Sequence, residues 1–168
     1  MVIQRLVAGG TENFTQPWKD YEEGFGSLSG NFWYGLRHIH CLTCREEVEL
    51  RIDMKYANGT ELTWTYQLFQ VAGPEDKYRL QIGSGVGEGY DAMRYHNGSL
   101  FSTYDQDNDD SNTHCASMAR KIGWWYRDCY KALLNDCLWN TGSGSIYVPF
   151  AEMKIRPKEC ATSKHKCK

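Results

Sequence analysis

No run of this sequence approaches the ~18 consecutive apolar residues that a membrane-spanning helix requires. Its opening, residues 1–10, lacks the basic and then apolar pattern of a secretory leader. No basic stripe precedes residue 158, and the net charge of −2 with a pI near 6.2 supplies no general attraction to nucleic acid or anionic lipid. There is no internal repeat, no domain linker and no G-x-S-x-G elbow. Around His38-Ile-His40-Cys41-Leu-Thr-Cys44 there is no second C-x-x-C or spaced histidine pair to complete a four-ligand zinc site. The same cysteines precede a strand pattern, whereas a thioredoxin-like pair follows a strand and opens a helix. Gly83-Ser-Gly85-Val-Gly87-Glu-Gly89 spaces its glycines by two and reads as a flexible turn, not a phosphate cradle. Together these absences point away from a membrane-spanning protein, a nucleic-acid binder and an enzyme.

The 168 residues suffice for one domain with a true core, since a chain of this size buries roughly two-thirds of its unfolded surface. Six Trp, 11 Tyr and 16 Gly describe a loop-heavy fold pinned by large rings. Seven cysteines, at 41, 44, 115, 129, 137, 160 and 167, with sequons at Asn13, Asn58 and Asn97, indicate an exported protein. The missing leader is then expected to have been cut away. An odd cysteine count leaves at least one thiol unpaired or joined to another chain.

Residues 17–24 place proline first, acidic residues next and glycine last, which predicts a short helix. Phe32, Leu36 and Ile39 predict a second helix over 31–40. The period then becomes two. Val48, Leu50, Ile52 and Met54 alternate with polar residues, Asn58-Gly59 offers a turn, and Trp64, Tyr66 and Leu68 alternate again, predicting a hairpin with one buried face. Tyr78, Leu80 and Ile82 extend that sheet, and Ala151, Met153 and Ile155 form a late strand returning to it. Between residues 83 and 147 strand patterning nearly vanishes, a length of irregular chain that is usually functional or disordered. The expected division is a domain over 1–157 and a basic, cysteine-containing tail over 158–168.

The densest chemistry lies at Asp105-Gln-Asp107-Asn-Asp109-Asp110-Ser111-Asn-Thr113. Carboxylates at alternating positions suit calcium, which takes six to eight hard oxygens, but the same run also reads as a solvated acidic turn. It is not an EF-hand, because the positions requiring glycine and glutamate hold Asp110 and Ala116. Cys115 and Cys129 bracket Trp124-Trp125-Tyr126; a bond between them would close a loop of about fifteen residues, worth ~3 kcal/mol by chain entropy. Adjacent tryptophans suit either a core or a shallow ligand surface.

These runs resemble the fibrinogen-related domains, the family of fibrinogen chains, ficolins, tachylectin-type lectins, tenascins and angiopoietins. The matching residues include Val2-Ile-Gln-Arg5, Pro17-Trp18 with Gly24-Phe25-Gly26, Phe32-Trp33 with Gly35-Leu36, Glu49 to Asp53, His96-Asn-Gly98, Phe101-Ser-Thr103, Asp105 to Asp109, Trp124-Trp125-Tyr126 and Phe150 to Pro157. The resemblance implies an α+β fold: a twisted antiparallel sheet, short helices and a loop-rich calcium-binding C-terminal region. It implies a Ca2+ ion held by the side chains of Asp107 and Asp109 and the carbonyls of Ser111 and Thr113. It implies a Cys115–Cys129 disulfide and a cis peptide at Asp128-Cys129. Tyr126, Asp128, Cys129 and Tyr130 are then the expected ligand wall, for a glycan or acetylated group or for a protein partner of the clotting or receptor-ligand type, in a secreted protein of innate defence.

The departures are as specific. The family's N-terminal cysteine pair is absent, so the chain is expected to lack that segment, and oligomerisation to run through segments N-terminal to the domain. Ala119 or Arg120 replaces a pocket tyrosine, one residue is inserted before Trp124, Tyr130 replaces a histidine, and Leu138 to Ser145 is shortened.

Overall fold

Alternating apolar residues at 48–54 seed the largest sheet. The computed structural model describes residues 1–158, so the expected tail lies outside the described residues except for Lys158. The first half of the chain runs β1 (Val2–Val7), α1 (Trp18–Glu23), β2 (Phe25–Gly26), β3 (Phe32–Trp33), α2 (Leu36–Arg45), β4 (Val48–Lys55) and β5 (Glu61–Val71). The second half runs β6 (Leu80–Ile82), β7 (Gly85–Gly87), α3 (Cys115–Met118), β8 (Ala132–Leu133), β9 (Leu138–Asn140), β10 (Ser145–Tyr147) and β11 (Phe150–Pro157). This is the α+β architecture that the resemblance implies.

The main sheet is ordered β2-β3-β1-β11-β4-β5-β6, with β7 also pairing β5, and its pairings are antiparallel. A small sheet of β10-β9-β8 stands apart. β11 is the late strand expected from Ala151, Met153 and Ile155, and it lies between β1 and β4. Its partner β1 was not legible as a strand, because Ile3 and the adjacent polar Gln4 are both buried, which breaks simple alternation. Gln4 pays for its burial by donating from Nε2 to the Asn135 side chain at 3.2 Å.

Three local expectations are corrected. The second helix begins at Leu36, not 31: Phe32 belongs to β3, and Gly35 at φ 101° separates strand from helix. The helix continues to Arg45, so Cys41 and Cys44 sit in its last turns. In β5 the buried face passes from Trp64 and Tyr66 to Phe69 and Val71, with Leu68 half-buried. A bulge causes this phase change, since Leu50 faces Tyr66 while Val48 faces Phe69. Tyr78 precedes β6 in a left-handed conformation (φ 53°), although its ring is fully buried.

Gly24 and Gly35 explain how α1 meets α2. A Cβ on Gly24 would lie 2.7 Å from the Tyr34 carbonyl oxygen, and one on Gly35 2.7 Å from that of Glu23. Both have positive φ, so backbone meets backbone where no side chain fits. Above the sheet Trp125 packs within ring-centroid distances of 5.9 Å from Trp33, 5.2 Å from Phe101 and 5.3 Å from Trp124. Its Nε1 donates to the Tyr78 carbonyl at 2.8 Å, satisfying the polar edge of a fully buried ring. This cluster fastens the irregular region after β7 onto the sheet. Among the described residues no helix is long and apolar enough to cross a membrane.

Candidate metal loop and recognition surface

The acidic run divides by job. Asp105 is exposed but committed, its Oδ1 accepting the Trp18 N–H at 2.9 Å and the Thr103 hydroxyl at 2.7 Å, so it anchors the start of α1. Asn108 turns in, its side-chain amide donating to the Phe101 carbonyl and its backbone N–H donating to Ser102 Oγ. Asp107 and Asp109 are left for the loop itself. Asp107 Oδ1 accepts the Asp109 N–H at 3.2 Å; the two Asp109 oxygens accept the N–H groups of Ser111 and Cys115, each at 3.0 Å.

Burial raises the Asp109 carboxyl, and the Asp107 carboxylate beside it raises it further, against the lowering effect of the Cys115 and Ser111 amides. Among the described residues neither carboxylate has a cationic side chain within 4.0 Å, whereas Asp110 meets Arg127 at 3.9 Å. The carbonyls of Ser111 and Thr113 likewise receive no hydrogen bond among the described residues. Two adjacent carboxylates without a counter-ion, beside two uncommitted carbonyls, form a hard-oxygen set that fits Ca2+. Among the described residues there is no cluster of three or more His, Cys, Asp or Glu side chains placed to hold a metal, so an ion here would need neutral oxygens, main-chain carbonyls or water, beside the two carboxylates.

The loop is tied to its neighbour in two ways. Cys115 and Cys129 form a disulfide. Ser111 Oγ donates to Asp128 Oδ1 at 2.6 Å, joining a carbonyl-bearing residue of the loop to the segment after the aromatic run. The Asp128-Cys129 peptide is cis. Its geometry is held by Tyr95, whose hydroxyl donates to the Asp128 carbonyl at 2.6 Å, and by the Arg127 N–H donating to the Cys129 carbonyl at 2.9 Å.

Of the four expected wall residues, Asp128 is exposed and Cys129 and Tyr130 are half-buried. Tyr126 is a correction: it is fully buried and its hydroxyl donates to the Ile122 carbonyl at 2.8 Å. It backs Tyr130, at 6.1 Å between ring centroids, and does not face a ligand. Trp124 and Trp125 are fully buried too, so the whole aromatic run is core. Clefts of about 300 Å3 beside Asn13 and about 430 Å3 over Asp53 include no residue from 126–130.

Sequence reasoning assigned no role to Tyr95 or His96. Tyr95 is flanked by Arg127 and Lys131, whose charges lie 5.8 and 6.0 Å from its ring centre. His96 is fully buried; its Nε2 accepts the N–H groups of Lys131 and Ala132, and its Nδ1 contacts the Trp125 carbonyl at 2.7 Å. The His96-Asn-Gly98 run was visible, but nothing in its spacing reveals a partner 35 residues away. The sequon asparagines Asn13, Asn58 and Asn97 are exposed, while Ser99 of the third sequon is buried.

The family model for the C-terminal globular domain of fibrinogen beta and gamma chains matches residues 1–158. Tenascin-R of Homo sapiens is 39% identical over 169 residues, covering 94% of this chain; the chain spans only 12% of that relative. The fibrinogen-like globe domain of human ANGPTL2 superposes with a TM-score of 0.88 at 31% identity, covering 93% of this chain and 79% of that one. Lamprey fibrin D-dimer, complexed with the peptide ligand Gly-His-Arg-Pro-amide, superposes with a TM-score of 0.84 at 26% identity, covering 99% and 64%.

Proposed function

The chain belongs to the family of fibrinogen C-terminal globular domains, a recognition fold, and from that premise we propose an extracellular, calcium-stabilised recognition domain that binds glycans or acetylated groups. The observation that carries this reading is the Ser111–Asp128 hydrogen bond, which couples the acidic loop to the Asp128-Cys129 peptide. Asp107, Asp109 and the carbonyls of Ser111 and Thr113 would hold the ion, whose charge offsets the repulsion between the two carboxylates. Fixing Ser111 fixes Asp128, and with it the backbone on which a ligand rests. Among the described residues the N–H groups of Cys129 and Tyr130 meet no acceptor, so they are free to receive a ligand oxygen such as an acetyl carbonyl.

A protein or peptide ligand is the second reading. It is favoured by the burial of Tyr126, which removes one wall of a closed acetyl pocket, and by the similarity to a fibrin domain complexed with a peptide.

Thermal melting with and without calcium tests the coupling. At 100 times Kd an ion that binds only the folded state adds about 2.7 kcal/mol, or roughly 5–10 °C in a domain of this size. That rise is expected in the native chain and absent in the Asp107→Ala, Asp109→Ala double variant; an equal rise in both refutes the assignment. A glycan array read with calcium and with chelator then separates the ligands. Calcium-dependent binding displaced by free N-acetyl sugars supports the first reading, and a captured peptide that such sugars cannot displace supports the second.

A further inference from the structure

Residues 8–17 join β1 to α1 and form one side of the cleft of about 300 Å3. The other side includes Arg120, Asp136 and Tyr147, from the loop-rich half of the chain. Phe14 anchors the loop. Its ring is buried edge-on against Phe25, at 5.2 Å between centroids, and its carbonyl accepts the Tyr21 hydroxyl at 2.8 Å. With residue 14 pinned inside, its neighbour Asn13 stands exposed and lines the cleft.

Asn13-Phe-Thr15 is a sequon, and the hydrogen bonds around it leave one atom over. Asn13 Oδ1 accepts the Thr15 N–H at 2.8 Å, the Thr15 hydroxyl donates to the Arg120 carbonyl at 3.1 Å, and Gln16 Nε2 donates to the Asn13 carbonyl at 2.8 Å. Among the described residues Asn13 Nδ2 meets no acceptor, so substitution on that nitrogen keeps all three bonds. The cleft beside it offers what a sugar ring needs. Tyr147 is 54% exposed and presents an aromatic surface to a face of C–H bonds. The Glu12 carboxylate has no partner among the described residues and can accept from a hydroxyl or an acetamide N–H. The other sequons differ. Asn58 makes the same local bond, to the Thr60 N–H at 2.9 Å, but it sits in the β4–β5 turn and lines neither this cleft nor the one over Asp53. Asn97 commits Oδ1 to the Ile82 N–H at 2.8 Å, which ties its side chain to β6.

We propose that Asn13 carries an N-linked glycan whose first sugar, an N-acetylhexosamine, lies in this cleft and clasps the 8–17 loop to Tyr147. The inference rests on the extracellular reading above, because the sugar is added in the secretory pathway. In the transfer Nδ2 bonds to the sugar C1 and loses a proton, while the C1–O bond to a lipid-linked diphosphate breaks and the diphosphate departs with the bonding pair.

The test uses the full chain behind a cleavable leader, secreted by a host that makes oligomannose glycans. By intact mass, Asn13→Asp and Asn58→Gln should each lose one glycan. Asn13→Asp keeps an acceptor for the Thr15 N–H, and its Tm should fall by roughly 2–4 °C. Trimming the parent with an endoglycosidase to one sugar per site should leave Tm unchanged. In a Tyr147→Ala background the Asn13→Asp fall should shrink to less than about 1 °C, and the charge that Asp introduces is common to both backgrounds. An equal fall in the two backgrounds, or a drop in Tm on trimming to one sugar, overturns the proposal. If the secreted chain carries a glycan at Asn58 and none at Asn13, the clasp alone fails. If the chain is retained in the cells with Cys115 and Cys129 unbridged, the extracellular reading falls with it.

Discussion

Protonating His96 is expected to loosen the strand start that follows the Asp128-Cys129 peptide. Two backbone N–H groups, from Lys131 at 3.2 Å and Ala132 at 2.9 Å, point at Nε2, so that nitrogen must offer a lone pair. The proton then resides on Nδ1, donated to the Trp125 carbonyl at 2.7 Å. A second proton would face two donors inside the core. Burial accordingly pushes the imidazole from 6.5 down to about 4, against the opposing pull of the Trp125 carbonyl. The sign follows from proton counts: between about pH 4 and 6.5 the unfolded chain carries this proton and the folded chain does not, so stability rises with pH across that window and is lost as pH falls. The whole displacement is worth about 3 kcal/mol, of which about 2 kcal/mol disappears between pH 7.5 and pH 5.0. Urea unfolding at those two pH values, with an unchanged m-value, measures it. His96→Gln should be less stable at pH 7.5 by about 1–3 kcal/mol, through imperfect replacement of a buried acceptor, and should lose the difference between the two pH values. An identical pH difference in both proteins, or a titration of His96 near 6.5 by NMR, would refute the reasoning.

Trp125→Ala should cost about 3–5 kcal/mol in urea unfolding, because it removes a ring touching Trp33, Phe101 and Trp124 and orphans the Tyr78 carbonyl. Gly35→Ala should destabilise by more than about 1 kcal/mol, since its Cβ would strike Glu23 backbone at positive φ. Gly30→Ala, where nothing lies within 4 Å, is the matched control and should melt within a degree or two of the parent.

The hairpin of β4 and β5 was legible because both strands expose one face and bury the other, with Asn58-Gly59 closing the turn. The same rule failed at Leu68 because a bulge adds one residue to one strand, and apolar character alone does not say which neighbour faces inward. Phe32 imitated a helical position because 32, 36 and 39 share its spacing; only the positive φ of Gly35 divides them. At the candidate surface, alternating acids and bracketing cysteines marked the loop, and family resemblance singled out Asp107 and Asp109 among four carboxylates. What local pattern could not convey was which partner each side chain meets. Asp105 serves α1 from 87 residues away, Tyr126 closes on Ile122 beneath the surface, and Tyr95 reaches Asp128 across 33 residues. The Asp105 and Tyr95 contacts depend on tertiary packing that brings distant chain segments together, whereas the Tyr126 bond reaches back only four residues and it is burial of the ring that hides it.

The central place of β11 has a consequence for biosynthesis. Its two neighbours, β1 and β4, belong to the first third of the chain, yet they cannot be bridged until the residues from Phe150 onward have left the ribosome. Until then each presents an unpaired edge to whatever lies nearby. A nascent copy must therefore be shielded until the residues of β11 have emerged, and a stop before residue 150 would release a sheet with its middle missing, a substrate for quality control and not a shorter working domain.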